Sequence, residues 1–335
     1  MTNKKADYFL LFSNCVVVRG AKRSTIYDLQ FERYKNIPNL LADVLGHSVD
    51  LPIKSIKLIY NDEYSAGIDS YLNLLAEERF GTFYHSIVNF IKLPLDWKYP
   101  GELTNCVIEV EGKPKFDLRK VFKELDDLNC HSVQFWFLKK VKSVDIESLL
   151  EPLSNSRIRN VELVIPYNNY FSRQFIESFS EKHPRVRRIV FTECYKKLVK
   201  FDIVQVIIES TKMETIELTR KFNNSPSAFR VSLGMFTESQ EHNTFFNKKI
   251  SIDRNGLIKN FPTMTKSFGH INEISFSDAI NNSEFKKFWS LKKDNIVGCK
   301  NCEFRFMCSG QFAHPSANIS ELIECQYDPL QLKWN

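Results

Sequence analysis

The chain has 335 residues, of which 43% are hydrophobic and 26% are charged, and it contains 28 Phe but only 11 Gly. This composition indicates a folded protein of two or three domains with well-filled cores, and it argues against a glycine-rich phosphate-binding fold. The formal net charge of +6 is mild for this length, so it permits an acidic partner and does not require nucleic acid.

The beginning of the chain carries no pattern typical of export or membrane insertion. An apolar run at residues 9–12 is too short for a signal sequence, and no stretch approaches the length of a membrane span. We therefore expect a cytoplasmic protein without a membrane partner, in which the cysteines are reduced and their spacing indicates metal binding rather than disulfides. Four cysteines are isolated, and we expect each to be a buried small hydrophobe: Cys15, Cys106, Cys130 and Cys194.

The first region, about residues 1–100, is predicted to be a small α+β module. Residues 8–19 have the pattern of a strand, and helical spacing of apolar residues follows at 39–45 and at 68–80. A proline-bounded extended linker at residues 92–100 closes the region. Strand–helix modules of this size often bind peptides through an exposed edge strand, and we expect the same use here.

The second region, about residues 101–234, alternates short apolar strands with amphipathic helices, which predicts βα units around a parallel sheet. A partial (β/α) barrel is the preferred closure, and an open doubly wound sheet is the alternative, since periodicity does not decide between them. The predicted strands are Cys106–Val110, Val133–Leu138, Asn160–Pro166, Arg187–Phe191, Val204–Ile208, Thr215–Leu218 and Phe229–Leu233. The predicted helices are Leu118–Leu128, Asp145–Leu153 and Ser172–Lys182, with Ser172 as an N-cap.

The third region, about residues 235–335, has a different pattern. Residues 246–259 are predicted to form a hairpin around the Asn255-Gly256 turn. A helix is predicted over Ser277–Ser290, and a cysteine-rich tail follows.

Four cysteines in this tail have the spacing C-x2-C-x5-C-x16-C: Cys299, Cys302, Cys308 and Cys325. Four thiolates can close a tetrahedral zinc site or hold a 4Fe–4S cluster, and the spacing alone leaves both open. His314 is a possible substitute for the last cysteine. A site with four protein ligands has no open position, so we expect a structural or electron-transferring role rather than hydrolysis.

Other motifs that would indicate catalysis or nucleotide binding are missing. The sequence has neither G-x-x-x-x-G-K-[ST] nor G-x-G-x-x-G, and its seven histidines form no ligand pair. Basic residues cluster at 185–188 and 196–200. Such clusters are usually solvent-facing rather than nucleic-acid sites, although they could attract an acidic peptide.

The run from Lys292 to Cys308 reads Cys-x-x-Cys-Glu-Phe-Arg-aromatic-x-Cys at its end, and Cys325-Gln326-Tyr327-Asp328-Pro329 completes the pattern. It resembles the SPASM domain of peptide-modifying radical S-adenosylmethionine enzymes, in the version of the grasp-with-spasm peptide maturases. Residues 9–29 and the linker at 95–100 are also similar to that family, so the resemblance spans most of the chain.

The resemblance implies a radical-SAM-type partial (β/α) barrel, preceded by a peptide-binding-like module and followed by a SPASM-type metal domain. It also implies a 4Fe–4S cluster on the four tail cysteines, with zinc as the alternative, and two partners: a ribosomally made precursor peptide and an ATP-grasp ligase. The first auxiliary cluster of a full SPASM domain has lost its ligands here, because Phe261 and Phe312 stand at expected cysteine positions.

The chain also has no C-x3-C-x2-C run, so no S-adenosylmethionine cluster is expected. The sequence therefore favours a degenerate scaffold that binds the precursor peptide, the ligase, or both. Two alternatives stay open at this point. One is an active maturase that uses a partner's cluster or an unrecognised site, and the other is a zinc-stabilised interaction protein.

Overall fold

The protein is described by a computed structural model, which covers residues 7–60, 63–86, 93–194, 204–208, 229–308, 325 and 327–334. Within these ranges the chain is a mixed α/β protein with a seven-stranded, mostly parallel sheet. No helix in the part of the chain that is described is long and apolar enough to cross a membrane.

Residues 7–86 form what we call the N-terminal module, which contains five strands and three helices. They are β1 Tyr8–Leu11, β2 Cys15–Arg19, β3 Arg23–Asp28, β4 Arg33–Pro38, α1 Asn39–His47, α2 Ile53–Ile59, α3 Ser65–Glu77 and β5 Gly81–Tyr84. Strands β2, β3 and β4 form an antiparallel sheet in that order, and β1 pairs with β5. The helices pack their apolar faces on Phe9 and Ile26 in a core of their own.

The single strand predicted over residues 8–19 is wrong, because the chain turns between β1 and β2. The backbone N–H of Cys15 donates to the carbonyl of Phe12 at 2.8 Å, and the carbonyl of Asn14 accepts from the backbone of Leu29 at 2.9 Å. The Asn14 side chain also donates to Asp28 Oδ1 at 2.6 Å. These bonds stabilise a turn that the apolar run on either side does not reveal.

The central sheet is built from βα units as predicted. Its elements are β6 Asn105–Val110, α4 Leu118–Asp127, β7 Ser132–Phe137, α5 Ser143–Leu150, β8 Asn160–Pro166, α6 Arg173–Lys182, β9 Val186–Thr192 and β10 Gln205–Ile208. Helix α6 begins after Ser172, whose hydroxyl accepts from the backbone N–H of Phe175 at 3.2 Å, which confirms the predicted N-cap. The predicted strand Thr215–Leu218 lies outside the described residues.

The described strands of this sheet are ordered β10-β9-β8-β7-β6-β11-β12, and every neighbouring pair except β11–β12 is parallel. Side chains alternate between two faces of the sheet. Cys106, Ile108 and their neighbours in register pack against helices α4, α5 and α6. Val107, Trp136, Val164 and Val190 share a small cluster on the opposite face. Closure of the sheet into a partial barrel stays a prediction.

The remaining elements are α7 Leu233–Glu241, β11 Lys249–Ile252, β12 Ile258–Lys259, α8 Phe276–Asn281, α9 Ser283–Lys286, β13 Tyr327–Asp328 and β14 Lys333–Trp334. The hairpin β11–β12 turns at Gly256, whose φ of +88° suits glycine, as predicted. Strand β11 also pairs in parallel with β6. The central sheet therefore crosses the boundary that the sequence suggests near residue 235.

Two predicted elements in this part of the chain are wrong. The strand expected over Phe229–Leu233 is absent, because Ser232 instead caps α7 by accepting from the backbone N–H of Met235 at 3.3 Å. The helix expected over Ser277–Ser290 is two short helices. Its first helix is capped by Ser275, and Asn282 at φ −70° and ψ 124° breaks it and caps the second.

Candidate functional site

The first three cysteines of the predicted metal site lie on one short loop, residues 298–308, which we call the cysteine segment. Gly298 turns the chain with φ +89° into a 3-10 turn over Cys299–Asn301. The backbone N–H of Cys302 donates to the carbonyl of Cys299 at 2.9 Å. The sulfur of Cys302 accepts from the backbone N–H of Phe304 at 3.3 Å. Tight turns of this kind bring the two thiols of a C-x2-C motif to one side of the chain.

The fourth cysteine reaches the same neighbourhood from the end of the chain. Burial raises the pKa of Cys299 to about 12, Lys293 opposes this rise, and charge on Cys308 or Cys325 would add to it. Burial also raises the pKa of Cys302, and Cys308 and Cys299 act in the same direction.

The donor set suits a thiolate metal site in its chemistry. The sulfur of Cys325 accepts a backbone N–H from Tyr327 at 3.4 Å, as that of Cys302 does from Phe304, and N–H donors stabilise charged sulfur. The buried Lys293 donates to the carbonyl of Cys308. Among the described residues, however, no three His, Cys, Asp or Glu side chains are grouped as a metal ion would require. The metal site therefore stays a prediction.

The cysteine segment packs directly on the N-terminal module, at the turn between β2 and β3. The backbone N–H of Ala21 donates to the carbonyl of Asn301 at 2.8 Å. The guanidinium of Arg305 donates to the carbonyl of Arg19 at 2.7 Å. A Cβ on Gly20 would lie 2.9 Å from the backbone nitrogen of Glu303, so the β2–β3 turn and the cysteine segment approach closely enough to require glycine there.

Glu303, which follows Cys302 directly, is the centre of this junction. Its carboxylate is fully buried and accepts from Arg23 Nε at 2.5 Å and from the Tyr327 hydroxyl at 2.6 Å. Its carbonyl accepts from the Tyr27 hydroxyl at 2.7 Å. Burial raises the pKa of Tyr327, and the nearby Glu303 raises it further. Glu303 thus ties together β3, the cysteine segment and the chain end.

The sequence analysis did not identify these residues as part of a site. The available signals were the position of Glu303 inside the C-x2-C-Glu-Phe-Arg run, and the fact that Arg23 and Tyr327 also lie in segments that resemble the maturase family. The Glu303 partners Arg23 and Tyr27 lie about 280 residues away along the chain, and no local pattern links residues at that separation.

Aromatic rings extend the junction from Glu303 to strand β4. The ring of Phe304 lies 5.9 Å from Tyr34, 4.9 Å from Phe229 and 5.2 Å from Tyr327, measured between centroids. Aromatic pairs at such separations add to the free energy of packing. Because Tyr34 belongs to β4, this cluster brings that strand into contact with the cysteine segment.

Strand β4 is, with β2, one of the two outer strands of its three-stranded sheet. It pairs with β3 on one side, and no described strand pairs with its other side. The backbone groups on an outer edge are available to a further strand. The first three residues of β4 are half-buried, and one of them, Tyr34, packs on the Phe304 cluster.

The other residues singled out from the sequence have separate positions. The four isolated cysteines are all buried, as predicted. Arg185 donates to the carbonyl of Ser156 at 3.3 Å, and Arg188 pairs with Glu162 at 3.2 Å on the central sheet. The basic residues at 196–200 and the alternative ligand His314 lie outside the described residues.

Comparisons with known proteins give matches among solved structures alone. No protein-family model matches the chain, and no curated protein sequence matches it. Three crystal structures of SuiB from Streptococcus suis match over 90% of this chain and 95% of that chain. The complex with the precursor peptide SuiA has 12% identity and a TM-score of 0.36. A second SuiB structure has 10% identity and a TM-score of 0.34. The SuiB complex with S-adenosylmethionine has 11% identity and a TM-score of 0.33. Similarity this low supports no conclusion about activity, ligand or partner.

Proposed function

We propose that this chain is a peptide-binding scaffold in the maturation of a ribosomally made peptide, a degenerate SPASM-type protein that holds the precursor and presents it to an ATP-grasp ligase. The observation that carries the proposal is the outer edge of β4, which no strand among the described residues pairs with, on a module that is bonded to the cysteine segment. The motif resemblance of that segment supplies the class of peptide and the ligase partner.

The edge of β4 suits an extended peptide. Peptides bind such edges by adding a strand, because main-chain hydrogen bonds give affinity and alternate side chains give specificity. Near its start β4 carries Tyr34, whose half-buried ring packs on Phe304, and an apolar side chain of the peptide would contact the accessible part of that ring. At the middle of the strand, Lys35 forms an ion pair with Glu78 at 2.6 Å. This pair would offer polar contacts to the side chains of the peptide.

The four tail cysteines are proposed to hold a 4Fe–4S cluster, with zinc as the alternative. The ligands would be Cys299, Cys302, Cys308 and Cys325. When bound, such a group supplies folding free energy by linking the segment to the chain end. A cysteine segment stabilised in this way would also stabilise the N-terminal module. The reason is that Glu303 connects the segment to β3 and Ala21 connects it to the β2–β3 turn. No S-adenosylmethionine chemistry is assigned to this chain.

The test is binding of the short peptide encoded next to this protein's gene, labelled with a fluorophore and titrated with the intact protein. Consecutive N–H groups along a strand point to opposite edges, so Lys35→Pro and Asn36→Pro remove one N–H from each edge of β4. We expect the variant that loses the outer N–H to fold normally and to bind about tenfold more weakly.

Peptide binding at β4 would be contradicted if both proline variants bound the peptide with full affinity and at least one of them unfolded at the same temperature as the unmodified protein. A peptide that does not bind the unmodified protein would reject the proposed function itself. Arg173→Ala, on the far helix α6, is the control that should leave binding unchanged.

A further inference from the structure

A cavity of about 600 Å³ lies on the face of the central sheet opposite helices α4–α6, at the amino-terminal ends of the strands. Asn105, Asn160 and Lys249 are each the first residue of their strand, and all three line it. Its volume lies in the range of ligand sites in proteins.

The lining is polar and carries both signs of charge, but its acidic groups already have partners. Glu162 accepts from Arg188 at 3.2 Å and from the side-chain amide of Gln134 at 3.5 Å. Glu238, on helix α7, accepts from the side-chain amide of Asn247 at 3.0 Å. Glu162 is paired with Arg188 and Glu238 lies near Lys249, but the lining has three cationic side chains, Arg187, Arg188 and Lys249, against these two carboxylates, so its net charge is positive.

The cationic groups of the cavity have donors left over within the described residues. Arg188 uses one N–H on Glu162 and one on Gln205, at 3.0 Å, and a guanidinium has more N–H groups than these. Lys249 donates to the carbonyl of Thr244 at 2.9 Å, and an ammonium also has further N–H groups. The site therefore offers donors to an anionic ligand.

The two cations are too far apart to share one small anion. Arg188 is on β9 and Lys249 is on β11, and the strand order β9-β8-β7-β6-β11 places four spacings between them. At about 4.8 Å per spacing, the separation along the sheet is roughly 19 Å, or somewhat less across a curved face. An extended peptide advances about 3.3 Å per residue, so a stretch of about six residues spans this distance.

We propose that this cavity binds an extended acidic segment of a peptide, which lies across the amino-terminal ends of the strands with one carboxylate at Arg188 and another at Lys249. Side-chain amides between the two cations, including Asn105, Gln134 and Asn160, would donate to and accept from the peptide backbone. The inference rests on the proposed function, because it assigns a second contact of the same precursor peptide.

The path from the N-terminal module to this cavity supports the proposal. The linker after the module contains Trp97, whose ring lies 5.7 Å from Lys248 Nζ. That lysine donates to the carbonyl of Gly101 at 2.7 Å, and its carbonyl accepts from the backbone N–H of Thr104, a cavity residue, at 2.7 Å. Residues 97–104 thus lie at the rim of the cavity, between the linker and β6.

The experiment titrates the intact protein with the probe acetyl-Glu-Gly-Gly-Gly-Gly-Glu-amide and with its Gln analogue, by isothermal titration calorimetry. We expect the acidic probe to bind and the Gln analogue to bind at least tenfold more weakly. Arg188→Gln and Lys249→Gln should each lower the affinity for the acidic probe at least tenfold. Arg188→Lys and Lys249→Arg keep the charge and should lower this affinity less. Arg173→Gln, on α6, should leave it unchanged.

Circular dichroism and the midpoint of thermal unfolding identify any variant that fails to fold. For such a residue, the inference is tested by the affinity of the charge-preserving variant and by the affinity of the unmodified protein for the Gln analogue. Equal binding of the two probes would overturn the inference, as would full affinity in folded Arg188→Gln and Lys249→Gln. If the precursor peptide binds through β4 while the acidic probe does not bind, this inference fails and the proposed function stands. If neither binds, both fail.

Discussion

Gly20 lies where the β2–β3 turn meets the cysteine segment, and its lack of a side chain permits their contact. A Cβ at this position would be 2.7 Å from the carbonyl oxygen of Arg23 and 2.9 Å from the Cβ of Glu303. Backbone atoms cannot rotate away, so Gly20→Ala should lower the free energy of unfolding by about 1–3 kcal/mol through overpacking. Urea denaturation followed by tryptophan fluorescence measures this change.

Gly46 is the matched control for this substitution. It lies exposed in helix α1, and a Cβ there would meet no atom within 4 Å. Gly46→Ala should stabilise the protein by about 0.5–1 kcal/mol, because alanine favours the helix more than glycine does. Equal effects of the two substitutions would contradict the close approach at Gly20.

The hydroxyl of Tyr27 is a second residue-scale feature of the junction. It is buried and donates to the carbonyl of Glu303 at 2.7 Å. Tyr27→Phe leaves that buried carbonyl without this donor, so we expect a loss of about 1–3 kcal/mol in the free energy of unfolding. Tyr170→Phe, at a ring that is 76% exposed, should change it by less than about 0.5 kcal/mol. If Tyr27→Phe lowers the free energy of unfolding no more than Tyr170→Phe does, the Tyr27 hydroxyl does not stabilise the junction.

Glu109 gives a prediction about pH, because it is half-buried near the carboxyl end of β6. Burial raises its pKa above the ordinary value of 4.5, although the backbone N–H of Arg254 donates to it at 3.1 Å and lowers the pKa in part. The folded state therefore holds this proton to higher pH than the unfolded chain does. Its contribution to stability is complete below the unfolded pKa and is lost as the pH rises through the folded pKa.

Glu109→Gln should remove this loss. We expect the variant to gain stability relative to the unmodified protein as the pH rises from about 4 to about 8, when both are unfolded with urea at several pH values. Parallel stability curves for the two proteins would contradict the raised pKa.

Helix α6 shows how far the start of an element follows from local sequence. Ser172 was predicted as its N-cap, and the structure confirms that the hydroxyl accepts from the backbone N–H of Phe175. Ser172→Ala should lower the free energy of unfolding by about 1 kcal/mol, and Ser172→Asp should retain it because Asp also caps helices. Thermal or urea unfolding of the two variants checks this. A destabilised Asp variant would mean that another contact of Ser172 matters more than the cap.

Strand β3 shows where local sequence is not enough. The residues of β3, Arg23–Asp28, are polar at both ends, yet all of them except the half-buried Arg23 are buried. Their polar groups have partners in the fold: Arg23 and Tyr27 bond to Glu303, and Asp28 bonds to Asn14 and Arg33. A polar strand whose partners are distant in sequence has no apolar alternation to reveal it.

For the whole molecule, the proposed metal site should control how firmly the N-terminal module is held. Cys302→Ser should reduce bound iron or zinc in anaerobically purified protein, measured by elemental analysis and a visible spectrum. It should also speed amide hydrogen exchange at Ala21, whose N–H bonds to the cysteine segment, because metal binding is coupled to folding.

Cys130 provides the control for this prediction. It is a buried cysteine of the central sheet region whose thiol donates to the carbonyl of Ser132 at 3.4 Å. Cys130→Ala should leave the metal content unchanged, even if stability falls. If Cys302→Ser keeps full metal content and the same exchange at Ala21, the assignment of the four cysteines is wrong.

The sequence by itself determined the βα alternation of residues 105–192, the hairpin at Gly256 and the burial of the isolated cysteines. These features depend on periodicity, turn chemistry and hydrophobicity, which act between near neighbours in the chain. It also singled out the four tail cysteines, because three of them fall within ten residues and the fourth follows in the same tail.

Only the tertiary structure decided which strands share a sheet, where Glu303 finds its partners and which charges face one cavity. Strand β11 joins β6, and Arg188 lines the same cavity as Lys249, although about 60 residues or more separate each pair along the chain. The physical reason is that packing and hydrogen bonding between distant residues depend on the folded path of the chain, which local propensity does not determine.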